Sequence, residues 1–237
     1  MNFEDTVLMF SGGKDSQCTL YLMKPYWDRL TVLWVNTGAA YPETLAVMER
    51  VRAEVPHFVE LHTKQPEGIE QHGYPVDVLP LRYSATGHMF EPGPRILLQS
   101  YVDCCTRHIW HPAHEYCRQH GVTTIIRGQR NAERMTGPIR SGHVENGITY
   151  IYPIESWSDE DVFDFLAMND IEIPAHYEMT ETSLDCWSCT AYLHEIGVHR
   201  WLAAKHPEKH AVVQERLQQI NAAGEAELTY IHEVLKL

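Results

Sequence analysis

Short apolar runs alternate with stretches of helical period through the first two-thirds of the chain. Thr6–Phe10 (TVLMF) reads as a buried strand, and Ser16–Met23 as the helix that follows it. Thr31–Thr37 (TVLWVNT) gives a second strand. Pro42–Val55 is a helix, with Pro42 suited to its first turn and Leu45, Met48 and Val51 at helical spacing. His57–Thr63 and Thr123–Gln129 supply a third and a fourth strand. A fifth, Ile148–Ile154, is introduced by Asn146-Gly147, a strong hairpin turn signal. Strands separated by helices of this length require βαβ crossovers, so the expected class is α/β with a doubly wound, mostly parallel five-stranded sheet.

Between Lys64 and Pro94 the chain is rich in Gly and Pro and keeps no period; a connection this long is expected to serve function or motion. From Ser158 the pattern turns helical. Ser158-Asp-Glu-Asp161 opens a helix with a cap and first-turn acids, and Val162, Phe163, Phe165 and Leu166 form its apolar side. Two more helical patterns run about Leu193–Lys205 and Pro207–Leu237. The expected organisation is an α/β nucleotide-binding domain over residues 1–157 and a helical C-terminal region over 158–237.

Composition narrows the class. The 237 residues are 44% hydrophobic and 22% charged, too balanced for disorder. Nineteen Lys+Arg against 32 Asp+Glu leave a formal charge of −13, so nucleic acid is expected to bind only through a partner or a local basic patch. No run approaches the length of a membrane span, and acids stand where a secretory signal carries Lys or Arg. A cytoplasmic protein without membrane contact is therefore expected. Its six cysteines should be reduced, metal-bound or catalytic rather than paired in disulfides.

The most informative segment is Ser11–Ser16, SGGKDS, between the first strand and the first helix. Two glycines let successive amides turn into one concavity, the helix adds its positive end, and Lys14 adds a full charge. The spacing differs from the Walker loop that grips β- and γ-phosphates. SGGKDS resembles the signature of the PP-loop ATP pyrophosphatases, which implies cleavage of ATP between its α- and β-phosphates. Asn36-Thr-Gly38 with Tyr41-Pro-Glu-Thr44, Gly128-Gln-Arg130, Pro153-Ile-Glu-Ser-Trp157 with Ser158-Asp-Glu-Asp-Val162, and Cys186-Trp-Ser-Cys-Thr190 narrow the likeness. In that order, over about residues 5–192, they resemble the phosphoadenosine phosphosulfate reductase family.

The resemblance implies an adenine nucleotide alpha hydrolase-like fold. It also implies a site for ATP, or adenylyl sulfate, with Mg²⁺. Ser11, Gly12, Gly13, Lys14, Asp15 and Ser16 are expected to line it, with Val35, Asn36, Thr37 and Gly38 at the adenine end. Arg127, Arg130, Arg134 and Arg140 lie at and beyond the end of the fourth strand, where open sheets bind ligands and arginines clamp anions. Arg130 is the expected ligand, with Arg134 and Arg140 behind it. Lys14, Asp15 and Arg130 are the expected catalytic set.

Cys104-Cys105 and Cys186/Cys189 form a CC…CxxC pattern, a soft donor set suited to zinc or to an iron–sulfur cluster. Adjacent helical residues point about 100° apart, which a cuboidal cluster with separate iron corners accommodates more naturally than one tetrahedral ion does. The resemblance adds that the adenylyl-sulfate reductase branch carries a 4Fe–4S cluster on such a set, matched here by Cys104, Cys105, Cys186 and Cys189; Arg107 also falls where that branch has a basic residue. Cys18 and Cys117 stand alone in helical segments and read as core. His108, His111 and His114 receive no chemistry.

Reductases of this family resemble one another in a late Glu-Cys-Gly-x-His whose cysteine attacks sulfur, and no cysteine follows Cys189 in this sequence. The leading expectation is thus an ATP-dependent PP-loop enzyme whose cluster assists sulfur transfer. Its alternatives are a sulfonucleotide reductase supplied with a thiol by a partner, and a non-catalytic nucleotide and redox sensor. A sulfur- or thiol-donor protein and a second copy of the chain are the expected partners.

Overall fold

The computed structural model describes residues 3–76, 79, 83–89, 96–132 and 140–236. Its strands are β1 (Thr6–Met9), β2 (Thr31–Asn36), β3 (Phe58–His62), β4 (Tyr74–Val76), β5 (Leu98–Ser100), β6 (Thr124–Ile126), β7 (His143–Glu145) and β8 (Ile148–Ile151). Its helices are α1 (Lys14–Leu22), α2 (Pro42–Glu54), α3 (Gln65–His72), α4 (Tyr101–Cys105), α5 (His111–Gln119), α6 (Asp159–Met168), α7 (Ile196–Lys205) and α8 (Pro207–Val234).

The main sheet runs β3-β2-β1-β6-β8-β7, parallel except for the last pair. The alternation of strand residues assigns its two faces. Leu8, Val32, Trp34 and Ile126 pack toward Leu20 of α1 and Val47, Met48 and Val51 of α2. Val7, Leu33, Ile125 and Tyr150 pack on the other side against Ala113 and Cys117 of α5. Cys117 is fully buried in the second layer, and Cys18, equally buried, packs against Ile154, Val162 and Leu166. From β1 the chain builds outward to β3, then returns to β6 on the opposite flank. The strand order therefore reverses between β1 and β6, and the loops leaving their carboxyl ends flank one crevice.

Two features depart from the sequence reading. The five expected strands make up the parallel part of the sheet, but the Asn146-Gly147 hairpin adds β7 as a sixth, antiparallel strand. Both turn residues have positive φ (50° and 81°), the geometry that joins Glu145 to Ile148 in a two-residue hairpin. Secondly, the segment read as unpatterned from Lys64 contains α3 and β4, and β4 pairs in parallel with β5 as a separate ribbon. The eight-residue α3, with Pro66 in its first turn and Gly68 without a side chain, is too short to display a helical period, and three-residue strands carry too few positions to show one.

That ribbon packs through Val76 and Leu98 against Ala223 and Ile220 of α8. Tyr41, at the start of α2, joins Leu184, Trp201 of α7 and Val213 of α8 in another cluster. The late cysteine segment is thereby pinned to the sheet: Ala40 and Cys186 form an isolated antiparallel bridge, and Thr44 Oγ1 donates to Leu184 O at 3.0 Å. No helix among the described residues is long and apolar enough to cross a membrane.

Candidate functional site

At the switch point the backbone leaves β1 through Ser11, Gly12 and Gly13 and enters α1 at Lys14. Gly12 has φ +85°, a conformation that L side chains resist, and Met48, Thr44 and Val47 crowd the place of a Cβ. The loop is cross-tied. Ser16 Oγ donates to Gly13 O at 2.9 Å, Ser11 Oγ donates to Ser16 Oγ at 3.2 Å, and Gln17 Nε2 donates to Gly12 O at 3.0 Å. Gly128, leaving β6, passes so close that a Cβ there would lie 2.7 Å from Asp15 O. The amino end of α1 thus abuts the β6 exit.

Four charges meet beside this loop. Lys14 Nζ lies 3.0 Å from Asp15 Oδ2 and 2.7 Å from Asp159 Oδ1. Arg130 reaches the same carboxylates, with Nε 2.5 Å from Asp15 Oδ1 and Nη2 2.8 Å from Asp159 Oδ1, and donates through Nη1 to Trp157 O at 3.1 Å. Lys14 and Arg130 are 4% and 2% exposed, so the cations are buried while Asp159 stays open to solvent. The hydrogen bond from Lys14, followed by the charges of Lys14 and Arg130, holds Asp159 below the usual carboxylate range. Burial opposes the charge on Arg130, but Asp15 and Asp159 outweigh it and raise Arg130 further. Asp159 is placed by a capping box: Ser158 Oγ accepts from Asp161 N–H while Asp161 Oδ2 accepts from Ser158 N–H.

Next to Ser11 a cleft of about 200 Å³ opens along the carboxyl ends of β1, β2 and β6. Val35, Thr37, Ile109, Trp110 and Arg127 contribute to its walls. A flat aromatic edge beside apolar strand residues suits a heterocyclic base, and Ser11 of the loop borders the same cleft. Asp185 also faces the cleft; close packing raises its carboxyl, against a hydrogen bond from Ser183 that lowers it.

Behind the cleft, Cys104, Cys105, Cys186 and Cys189 surround a second cavity of about 20 Å³, together with Gln65 and His108. Cys104 and Cys105 end α4, and the chain then widens into a π turn, Thr106–Trp110, before α5. Such turns recur at functional sites because they re-aim neighbouring side chains. Cys189 N–H donates to Cys186 O at 3.1 Å, closing the late turn. Burial pushes all four thiols up, Cys105 and Cys189 to about 12, and charge repulsion among the sulfurs adds to this at Cys105, Cys186 and Cys189. Thiolates form in such surroundings when a cation neutralises them. Among the described residues no group of three His, Cys, Asp or Glu is arranged to hold a metal ion. Four soft donors spread around one cavity suit a polynuclear centre better than a single ion.

The expected residues fall into distinct places. Ser11, Val35 and Thr37 line the cleft, Lys14, Asp15 and Arg130 form the charged group, and Gly12 and Gly13 border a small cavity behind the loop. Asn36 and Gly38 shape the turn instead of the cleft wall: Asn36 Oδ1 accepts from Gly38 N–H at 3.0 Å, and Asn36 Nδ2 donates to Glu60 at 2.7 Å. Arg140 is exposed, and Arg134 lies outside the described residues. Tyr177, Trp110 and Gln65 carry no motif, Asp159 is visible in the sequence only as a helix-opening acid, and His108 and His114, assigned no chemistry there, line the two cavities.

The class this fold and site define is that of the phosphoadenosine phosphosulfate reductase domain, which residues 5–192 match; the chain belongs to that family. It is a PP-loop nucleotide-binding member, related to sulfate adenylyltransferase subunit 2. That subunit from Streptomyces lavendulae is 25% identical, the match covering 96% of this chain and 71% of the relative. An uncharacterised protein of Methanocaldococcus jannaschii is 26% identical over 78% of this chain, which spans only 41% of that protein's length. The fold is similar to that of phosphoadenylyl-sulfate reductase from Candida auris, solved with phosphate, at a TM-score of 0.57 and 15% identity, over 78% of this chain and 83% of that one.

Proposed function

We propose that this chain is an ATP-dependent PP-loop enzyme of sulfur chemistry that activates an oxygen of its acceptor by adenylylation and replaces it with sulfur. The observation that carries this reading is the wall shared by the two cavities: Thr37, Ile109 and Cys186 border both the nucleotide cleft and the cysteine chamber. That shared wall supports a reading in which activation and sulfur delivery occur side by side. Relatives named sulfate adenylyltransferase subunit 2 support the adenylyl half, since moving an adenylyl group from ATP breaks the bond between the α- and β-phosphates.

In this reading the acceptor oxygen attacks the α-phosphorus and pyrophosphate leaves, its charge offset by Mg²⁺. Lys14 and Arg130 would turn from Asp15 and Asp159 toward the phosphates, and these two carboxylates would hold the Mg²⁺ that supplies charge neutralisation to the leaving pyrophosphate. Hydrosulfide, delivered by a donor protein, then attacks the activated acceptor atom, the bond from that atom to the adenylylated oxygen breaks, and AMP leaves with the former acceptor oxygen. Cys104, Cys105, Cys186 and Cys189 would hold a 4Fe–4S centre, which carries or positions that sulfur.

A second reading, a sulfonucleotide reductase served by an external thiol, is favoured by the family match and by the fold likeness to a phosphoadenylyl-sulfate reductase. Product analysis separates the two. Anaerobically loaded protein given ATP, Mg²⁺ and sulfide should release AMP and pyrophosphate. Release of AMP and sulfite from adenylyl sulfate plus thioredoxin or glutathione, with ATP left intact, overturns the first reading in favour of the second. Tight ATP binding without turnover of either nucleotide points to a sensor and overturns both.

A further inference from the structure

The turn that carries Cys186 and Cys189 is gripped by α8. Its two intervening residues are Trp187 and Ser188. Trp187 packs on the cluster of Tyr41, Leu184, Trp201 and Val213, and Lys209 Nζ of α8 lies 5.7 Å from its ring centre. Ser188 is 1% exposed, and its carbonyl accepts from Arg216 Nη1 at 3.0 Å. The peptide unit that Arg216 holds also contains the Cys189 N–H, which donates to Cys186 O at 3.1 Å. One guanidinium thus fixes the amide that closes the cysteine turn.

Arg216 is itself well placed. It is half-buried, and its guanidinium lies 5.3 Å from the ring centre of Tyr74 in β4. Val213 and Ile220, three residues before it and four after, share its side of the helix and are anchored in separate clusters. Among the described residues no carboxylate pairs with it, so its charge is left to the turn. The helix that supplies it begins at Pro207, beyond the stretch 5–192 that matches the family.

We propose that Arg216 is a positioning residue of the sulfur site: it reaches from α8 to fix the Cys186–Cys189 turn and holds a positive charge beside it. The proposal rests on the reading of the four cysteines as ligands of an iron–sulfur centre. The potential of such a centre follows the charge and hydrogen bonding around it. A fixed cation favours the more negative, reduced state and so raises the potential.

The test loads the full-length chain with iron and sulfide under anaerobic conditions. It then compares wild type, Arg216→Gln and Arg216→Lys for iron content, reduction potential and survival in air. Arg216→Gln removes the charge, so its potential should fall, and it should lose iron in air about ten-fold faster, the scale on which outer contacts act at metal sites. Arg216→Lys keeps the charge and should return the potential to the wild-type value. Circular dichroism and ATP binding establish that each variant is folded; Arg216→Met, which keeps the apolar stem, replaces Arg216→Gln if that variant is not. A folded, loaded and uncharged variant with the wild-type potential, whatever its stability in urea, overturns this proposal alone. So does a lysine variant that shifts as far as the uncharged one. A wild-type chain that takes up no iron sinks the reading of the four cysteines, and the role of Arg216 with it.

Discussion

The phenolic oxygen of Tyr177 accepts the N–H of Lys14, the first amide of α1, at 2.9 Å. The Tyr177 ring stands over the loop, its oxygen 3.2 Å from where a Cβ on Gly13 would lie, and Lys14 Nζ is 6.0 Å from the ring centre. Burial raises the phenol above its ordinary range, so the oxygen is a neutral hydroxyl at all physiological pH values. The amide most suited to a phosphate oxygen already has a partner from 163 residues away.

Tyr177→Phe removes that competitor while keeping the ring. Pyrophosphate and ATP should then bind about five-fold more tightly, the equivalent of one net hydrogen bond of about 1 kcal/mol. Isothermal titration with Mg²⁺-pyrophosphate measures it. Weaker binding would show that the hydroxyl assists the phosphates instead of yielding to them.

Arg130→Gln leaves Asp15 and Asp159 facing Lys14 alone. Because both carboxylates keep some contact with solvent, the loss in urea unfolding should be about 1–3 kcal/mol, below that of a fully enclosed pair. AMP release should disappear even where the variant remains folded. Retained turnover would remove Arg130 from the reaction.

At Gly128 the expected effect is steric. A methyl group placed 2.7 Å from Asp15 O forces the β6 exit away from α1. Gly128→Ala should destabilise the protein by about 1–3 kcal/mol and weaken ATP binding in parallel. A thermal melt and a nucleotide titration on one sample check both, and wild-type values in either would contradict the packing described.

His176 supplies the pH dependence. It is 4% exposed, neither ring nitrogen has a hydrogen-bond partner among the described residues, and burial lowers it to about 4, with Glu43 pulling the other way. The unfolded chain therefore binds a proton that the folded one refuses between pH 6.5 and about 4. Stability contributed by the neutral ring is full above pH 6.5 and falls as the pH drops through that window, by on the order of 3 kcal/mol. His176→Phe should flatten that part of a urea-stability profile. An unchanged slope would assign the acid sensitivity to other groups.

How much could be read beforehand follows from the range of each interaction. The strand-loop-helix around Ser11–Ser16 and the five parallel strands are local patterns, and Arg130 was legible because it lies just past a strand end. Its partner Asp159 looked like an ordinary helix-opening acid until folding placed the capping box of α6 beside Lys14. Tyr177 sits in a four-residue 3₁₀ turn without a motif. Gln65 was hidden because the eight-residue α3 is too short to display a period. The cysteine spacing announced a shared site, but only tertiary packing reveals that Cys186 borders both chambers.

That double frontage has a practical consequence. Anything seated in the cleft against Thr37 and Ile109 also stands in front of the Cys186 sulfur, so the tenant doubles as a stopper against small oxidants such as peroxide. Emptying the cleft would open that side of Cys186 to solvent-borne reagents.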